Sequence, residues 1–322
     1  MGKLVGALIT IGIIGVVAGG VLVGVGYATT KDEAESTLEK KEYQLEDSFE
    51  NFEIDLVSSN LLIKKAEDGV NKVVCQEREK VESVVKVEGN TLSIVQRDER
   101  PWYKKWFFNW GWITGQEMKV TVYLTGEAYN NFTVENSVGT IKVESGFTFN
   151  TVKAVTHTGS VTFSSSGTES MYLETDTGSV NVNDITTKEL TAKSDTGSVN
   201  ASKVVVTGNV KVENHTGSAN FKDSSCENMD VTTNTGSVNI SNTVATGYMN
   251  IKTSTGSINF DSADADTLDL ESSTGSIKGS LLTGKTFQAN SSTGSVKVPN
   301  TTGGLCRAKT STGSIKLTVV GQ

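Results

Sequence analysis

The chain has 322 residues and carries 29 lysines and arginines against 37 aspartates and glutamates, a formal charge of −8. That balance argues against nucleic acid as a partner, because a phosphate backbone is repelled. Two prolines leave almost every backbone N–H free to donate, and three cysteines, an odd number, do not make a disulfide framework.

The first element is apolar. Leu4 to Ala28 reads LVGALITIGIIGVVAGGVLVGVGYA, uncharged and long enough to span a bilayer as one transmembrane helix. Lys3 precedes it and the residues from Lys31 to Glu50 are mainly acidic. The positive-inside rule therefore places the N-terminus in the cytoplasm and the bulk of the chain outside the cell membrane. The alternative is a signal peptide cleaved after the small-x-small sequence Gly26-Tyr27-Ala28, with the remainder secreted. The run exceeds a usual signal core, which favours a retained anchor over residues 1–28. Gly15 with Gly19, and Gly20 with Gly24, have helix-dimer spacing, one route to a homo-oligomer. Residues 29–47 read as a charged stalk.

Residues 48–135 contain strand-like runs without a repeat, among them FEIDLV, NLLIKKA, KVVCQER and MKVTVYL. Gly89-Asn90 inside VVKVEGNTLSIVQR signals a hairpin. This region is expected to be an N-terminal β cap over the repetitive remainder of the chain. It contains a loop, 100–116, that holds all four tryptophans: Trp102, Trp106, Trp110 and Trp112, with Tyr103, Lys104, Lys105, Phe107 and Phe108 among them. Aromatic rings beside lysines suit a membrane interface or a ligand. The competing expectation is that they fold back to plug the end of the structure.

From residue 136 to 322 one small turn, usually TGSV or TGSI, returns again and again. Its glycine falls at Gly139, Gly159, Gly178, Gly197, Gly217, Gly236, Gly256, Gly275, Gly294 and Gly313, in steps of 19 or 20 residues. Such a period is the signature of a solenoid. Apolar residues stand seven and five before each glycine (Leu190 and Ala192 in one repeat) and two and four after it (Val199 and Ala201). This is period two on both sides of a bend, the pattern of strands with one buried face. About four apolar side chains cannot offset the entropy of ordering a lone rung, so rungs must stack. The fold class is all-β: a parallel β-solenoid of about ten 19–20-residue rungs, a rod of roughly 48 Å at about 4.8 Å per rung. Only TVVGQ comes after the last strand, which leaves the C-terminal edge a candidate end-to-end contact.

Outward columns line up as well. Asn181, Asn200, Asn220, Asn239 and Asn259 are spaced to form an amide ladder, continued by Lys278, Lys297 and Lys316 as a solubilising face or an anionic-polymer contact. His157, Asp176, Asp195 and His215 share one column, two before the glycine. Pairs of these are weak metal candidates, and the adjacent carboxylates have the spacing of a glycosidase pair, without a visible cleft. Threonines one and three before the glycine share the parity of the inward residues. Cys75, Cys226 and Cys306 read as small hydrophobes. No catalytic motif or cofactor is expected.

These repeats, the VTVYL strand and the N-terminal segment together resemble the bacterial putative-adhesin domain of β-strand repeats, a domain of unknown function in exported Firmicute proteins. The resemblance spans residues 48–319. It implies architecture rather than activity, carries no catalytic residues, and makes a Lia-type envelope-stress setting an expectation. Where that family has a proline after the VYL strand, this chain has Thr125-Gly126, expected to loosen the turn. The resulting expectation is a non-enzymatic, membrane-anchored cell-envelope protein that binds an envelope protein, lipid or wall polymer. The alternatives are a surface adhesin and, less favoured, a carbohydrate-active enzyme using Asp176 and Asp195.

Overall fold

The computed structural model describes residues 38–99 and 117–320, and every regular element among them is a β-strand. No helix of the described residues is long and apolar enough to cross a membrane. The apolar segment 4–28, residues 29–37 of the stalk and the aromatic loop 100–116 lie outside the described residues.

The strands stack as a parallel β-solenoid. Strands before the glycine pair in register from rung to rung, as Leu190↔Val210 and Ala192↔Val212 do. Strands after it do the same, with Val180↔Val199 and Val199↔Ala219. The four inward columns form one continuous core, in which Leu190, Ala192, Val199 and Ala201 are at most 3% exposed. Ten turn glycines bound nine intervals, so the coil has about nine turns rather than ten.

Each regular rung has a second corner that the periodicity did not reveal. Six residues after the glycine, Asp184, Lys203, Asp223, Asn242 and Ser262 adopt φ between 46° and 55°. None is a glycine, and short polar side chains that bond locally tolerate this left-handed region best. The bend starts a third side, which buries Ile185, Val204, Val206, Cys226 and Ala245. A rung is thus a flattened triangle with two sheet faces and a short closing side.

At the N-terminal end, Asn51–Leu56 and Asn60–Lys65 form a rung of the coil itself. On one side they pair in parallel with Ala128–Val138 and Ile141–Val143. On the other they pair in parallel with Thr91–Asp98 and Lys119–Leu124. Only beyond that layer does pairing become antiparallel. Val81–Glu88 lies on Thr91–Asp98 through the Gly89-Asn90 hairpin, Lys72–Glu77 lies on Lys119–Leu124, and Glu39–Gln44 lies on Lys72–Glu77. Glu39–Gln44, expected within the stalk, is an outermost strand, held by a 3.0 Å ion pair from Lys41 to Glu82 and a Tyr43 hydroxyl donating to the Ser83 carbonyl. The Thr125-Gly126 turn is tied rather than loose. The Thr125 N–H donates to Asn71 Oδ1 at 2.7 Å, a bond that proline cannot make. Phe52, Phe132, Phe149 and Phe163 fill the core here, with ring centroids 4.9–6.0 Å apart.

At the C-terminal end the rungs stack out of sequence order. Gly304–Thr312 pairs with Ile258–Thr274 on one side and with Lys285–Thr293 on the other. Ile315–Val319 likewise lies between Ile277–Leu281 and Val296–Lys297. The last rung of the chain is therefore inserted beneath the one that precedes it. The exposed edge is 285–297, not the chain terminus. This explains why Phe287, Ala289 and Val298, at inward positions, are only partly buried and Val296 is 43% exposed. Lys285 marks the transposition. Its ammonium passes the intervening Gly304 to reach Asp264 at 2.7 Å and the Ala265 carbonyl at 2.6 Å, and the ion pair is almost wholly buried. A Cβ at Gly304 would stand 2.0 Å from the Asp266 carbonyl oxygen.

This order of rungs is open to two tests. The variant Glu271→Cys/Lys309→Cys places thiols on directly paired positions and should form a disulfide under mild oxidation. Glu271→Cys/Asn290→Cys, two layers apart at roughly 9.6 Å, should not. Mass spectrometry of tryptic fragments reads both. Lys285→Met should lower stability by about 3–5 kcal/mol in urea unfolding by stranding the Asp264 carboxylate, and adding Asp264→Leu should recover most of the loss.

Candidate functional site

The repeated T-G-S corner has a structural role for each letter. At Gly197 φ is 145°, and a Cβ would lie 1.8 Å from the Gly178 carbonyl oxygen. Its N–H donates to the Thr216 carbonyl at 2.8 Å. The serine after it receives a bond from the next rung, as Ser198 N–H donates to Ser179 Oγ at 3.3 Å. The residue three before the glycine points inward and latches the corner: Thr175, Ser194, Thr233 and Ser272 donate to the glycine carbonyl of the previous rung at 2.7–3.2 Å. The threonine one before the glycine, which shares their parity, is exposed instead, because the bend has begun there. The turn glycines are thus the spine of one corner.

The column of His157, Asp176, Asp195 and His215 resolves into two pairs. His157 Nδ1 lies 2.8 Å from Asp176 and His215 Nδ1 lies 2.9 Å from Asp195, all with at least half of the side chain exposed. Among the described residues no three His, Cys, Asp or Glu side chains converge on a metal position. Each carboxylate is engaged by its own histidine on an open surface.

The asparagine column is a hydrogen-bonded ladder. Asn200, Asn220, Asn239 and Asn259 each donate from Nδ2 to Oδ1 of the asparagine one rung back, at 2.6–2.8 Å. Lys278, Lys316 and Lys297 continue it in that spatial order. The cysteines are free and buried, and burial, the leading cause at each, pushes the thiols of Cys75, Cys226 and Cys306 up to about 12. Such thiols are poor nucleophiles at neutral pH.

An open groove of about 730 Å³, which no sequence motif marks, crosses the outward face of the long strands near the N-terminal end. It is lined by Asp55, Glu135, Lys153, His157, Tyr172 and Glu174. Lys153 and Glu135 pair at 2.7 Å, and the Tyr172 hydroxyl donates to Glu174. Burial and then the Glu174 carboxylate push the Tyr172 hydroxyl pKa up. These residues come from four successive rungs and occupy outward positions with no recurring letter. The nine aromatic-loop residues from Trp102 to Trp112 lie outside the described residues. The residues that bracket the loop, Glu99 and Glu117, stand at the N-terminal end of the rod.

The family model for Toastrack DUF4097 matches residues 49–318. The chain belongs to the Toastrack DUF4097 family. Several solved structures are similar to this Toastrack chain. A putative adhesin from Bacteroides fragilis is 14% identical, with 88% of this chain and 97% of that chain covered and a TM-score of 0.33. A putative adhesin from Parabacteroides merdae is 12% identical over 88% and 97%, with a TM-score of 0.40. A putative lipid binding protein from Parabacteroides distasonis is 14% identical over 75% and 94%, with a TM-score of 0.29. No relative is found among curated proteins.

The corner makes a quantitative prediction for this Toastrack domain. Gly197→Ala should cost at least ~3 kcal/mol, because the methyl meets backbone rather than a movable side chain. Gly89→Ala, with open space around it, should cost only the left-handed penalty of about 1–2 kcal/mol. Urea midpoints at constant m-value distinguish the two.

Proposed function

We propose that this chain is a non-enzymatic binding protein of a bacterial cell envelope, held in the membrane by residues 4–28 and projecting its solenoid outside. The observation that carries the reading is the character of the outward faces. Polar side chains repeat in single-residue columns, and the grooves between them are open, with their polar groups engaged by one another, as in Glu135–Lys153 and Asp195–His215. Catalysis needs converging groups in a site that limits water. Regular columns instead match an extended surface or polymer. The same observation weakens the carbohydrate-active alternative, since Asp176 and Asp195 each serve a histidine in solvent.

The tryptophan-rich loop is the contact nearest the membrane in this proposal. Phenylalanines already fill the N-terminal end of the core, which supports a role for the indoles other than as its plug. The polymer or envelope protein met by the rod faces, or a host surface in the adhesin variant, would engage the columns and the groove at Tyr172. An envelope-stress setting fits both.

All four tryptophans lie within 100–116, so intrinsic fluorescence reports that loop alone. In vesicles of full-length protein, lipids brominated along the acyl chain should quench most of the emission, more strongly when anionic lipid is present. Emission equal to that in unbrominated vesicles would remove the membrane-contact role.

A further inference from the structure

The two ends of the rod are built differently. Among the described residues, the outermost strands at the N-terminal end, Glu39–Gln44 and Val81–Glu88, carry charges along their length, including Glu39, Lys41, Glu42, Glu82 and Lys86. Charged edges resist further strand addition. The outermost strand at the other end, Lys285–Thr293, reads KTFQANSST. Its only charge, Lys285, is turned inward onto Asp264. Its outward side chains are Thr286, Gln288, Asn290 and Ser292, all neutral and all but Ser292 carrying either an amide or a β-branch. It has no proline, no bulge, and nothing paired on its outer side among the described residues. This is an edge without the usual protection.

The core also ends there unfinished. Positions that are at most 1% exposed in interior rungs, such as Val180, Val199 and Val238, are occupied in this rung by Val296 at 43%. What covers the end of a rung is a layer with the same outline and the same inward columns. The charged, antiparallel N-terminal end does not offer one, whereas the C-terminal end of a second copy does.

We propose that the edge 285–297 pairs antiparallel with the same edge of a second copy about a two-fold axis at Ala289, joining two rods tip to tip. In this register Phe287 faces the small Ser291 of the other copy, Ala289 faces Ala289, and Gln288 faces Asn290. Large meets small in the core, and amide meets amide outside. Lys297, the only exposed charge of that rung, lies on the other face, away from these pairs. An isologous contact of this kind closes at two copies and does not propagate into a filament. Both N-termini then point outward along a doubled rod. If the anchored reading under the proposed function holds, two membranes face each other, and the contact is homophilic adhesion in trans.

The test uses full-length protein at one chain per lipid nanodisc, so that helix–helix contact within a bilayer cannot bring two chains together. Mass photometry across a concentration series should show a species of two discs. Gln288→Lys/Asn290→Lys sets lysine against lysine twice and should weaken pairing by about tenfold. Gln288→Glu/Asn290→Lys sets glutamate against lysine twice and should restore it. Single discs for the wild type at all concentrations, or a two-disc species indifferent to the double lysine variant, would overturn the proposal. Whether the chain migrates with lipid reports on the anchor separately, so failure of one reading is not mistaken for failure of the other.

Discussion

Everything in this rod depends on how closely one corner can stack on itself. At each glycine turn the backbone of one rung approaches the next so tightly that a methyl group would lie about 2 Å from a carbonyl oxygen. That contact sets the vertical spacing, and the spacing brings strands into hydrogen-bonding register on both faces. The inward Thr or Ser latch then satisfies the glycine carbonyl, which would otherwise be a half-buried acceptor with one partner fewer. Once the corner stacks, identical letters necessarily fall above one another. The asparagine ladder and the serine ladder are consequences of this alignment.

What could be read from the amino-acid order was what recurs with it. The four apolar columns and the glycine corner repeat at 19 or 20 residues, and the structure buries them as that period requires. The second corner escaped because its left-handed residues are Asp, Lys, Asn and Ser, chemically dissimilar and individually ordinary on a surface. The end rungs escaped for a different reason. Leu268↔Cys306 and Phe287↔Cys306 pairings are equally compatible with the letters, since every rung offers the same apolar template; the contacts that accompany the observed order, Lys309 on Glu271 and Lys285 on Asp264, are set by geometry. The groove at Tyr172 is a property of four neighbouring rungs and of no single motif. The histidine and aspartate column was visible as a column, yet its division into two exposed pairs depends on which way each side chain leans.

The division of labour along the molecule arises from the same stacking. Interior rungs are interchangeable, so chemistry that differs from rung to rung has its natural place where the repeat breaks. At the N-terminal end the break supplies aromatic residues, antiparallel strands and a dense set of charges. At the C-terminal end it supplies a run without carboxylates after Glu271 and a neutral edge. The faces between are mainly polar. A family defined by this coil can therefore keep its core and change its contacts by altering only the two ends and the outward letters.

The transposed rungs have a mechanical meaning. A simple coil can be peeled from either terminus one layer at a time, each step breaking a single ladder. Here the final rung, 304–319, lies between two others, and at the opposite end the rung 51–65 lies between 91–124 and 128–143. To withdraw either segment, two ladders must shear at once. Shearing parallel hydrogen bonds together requires far more force than unzipping them in turn. Glu39–Gln44, held by one ladder, can peel alone, but a rod loaded between residue 51 and its tip would then resist tension as a unit.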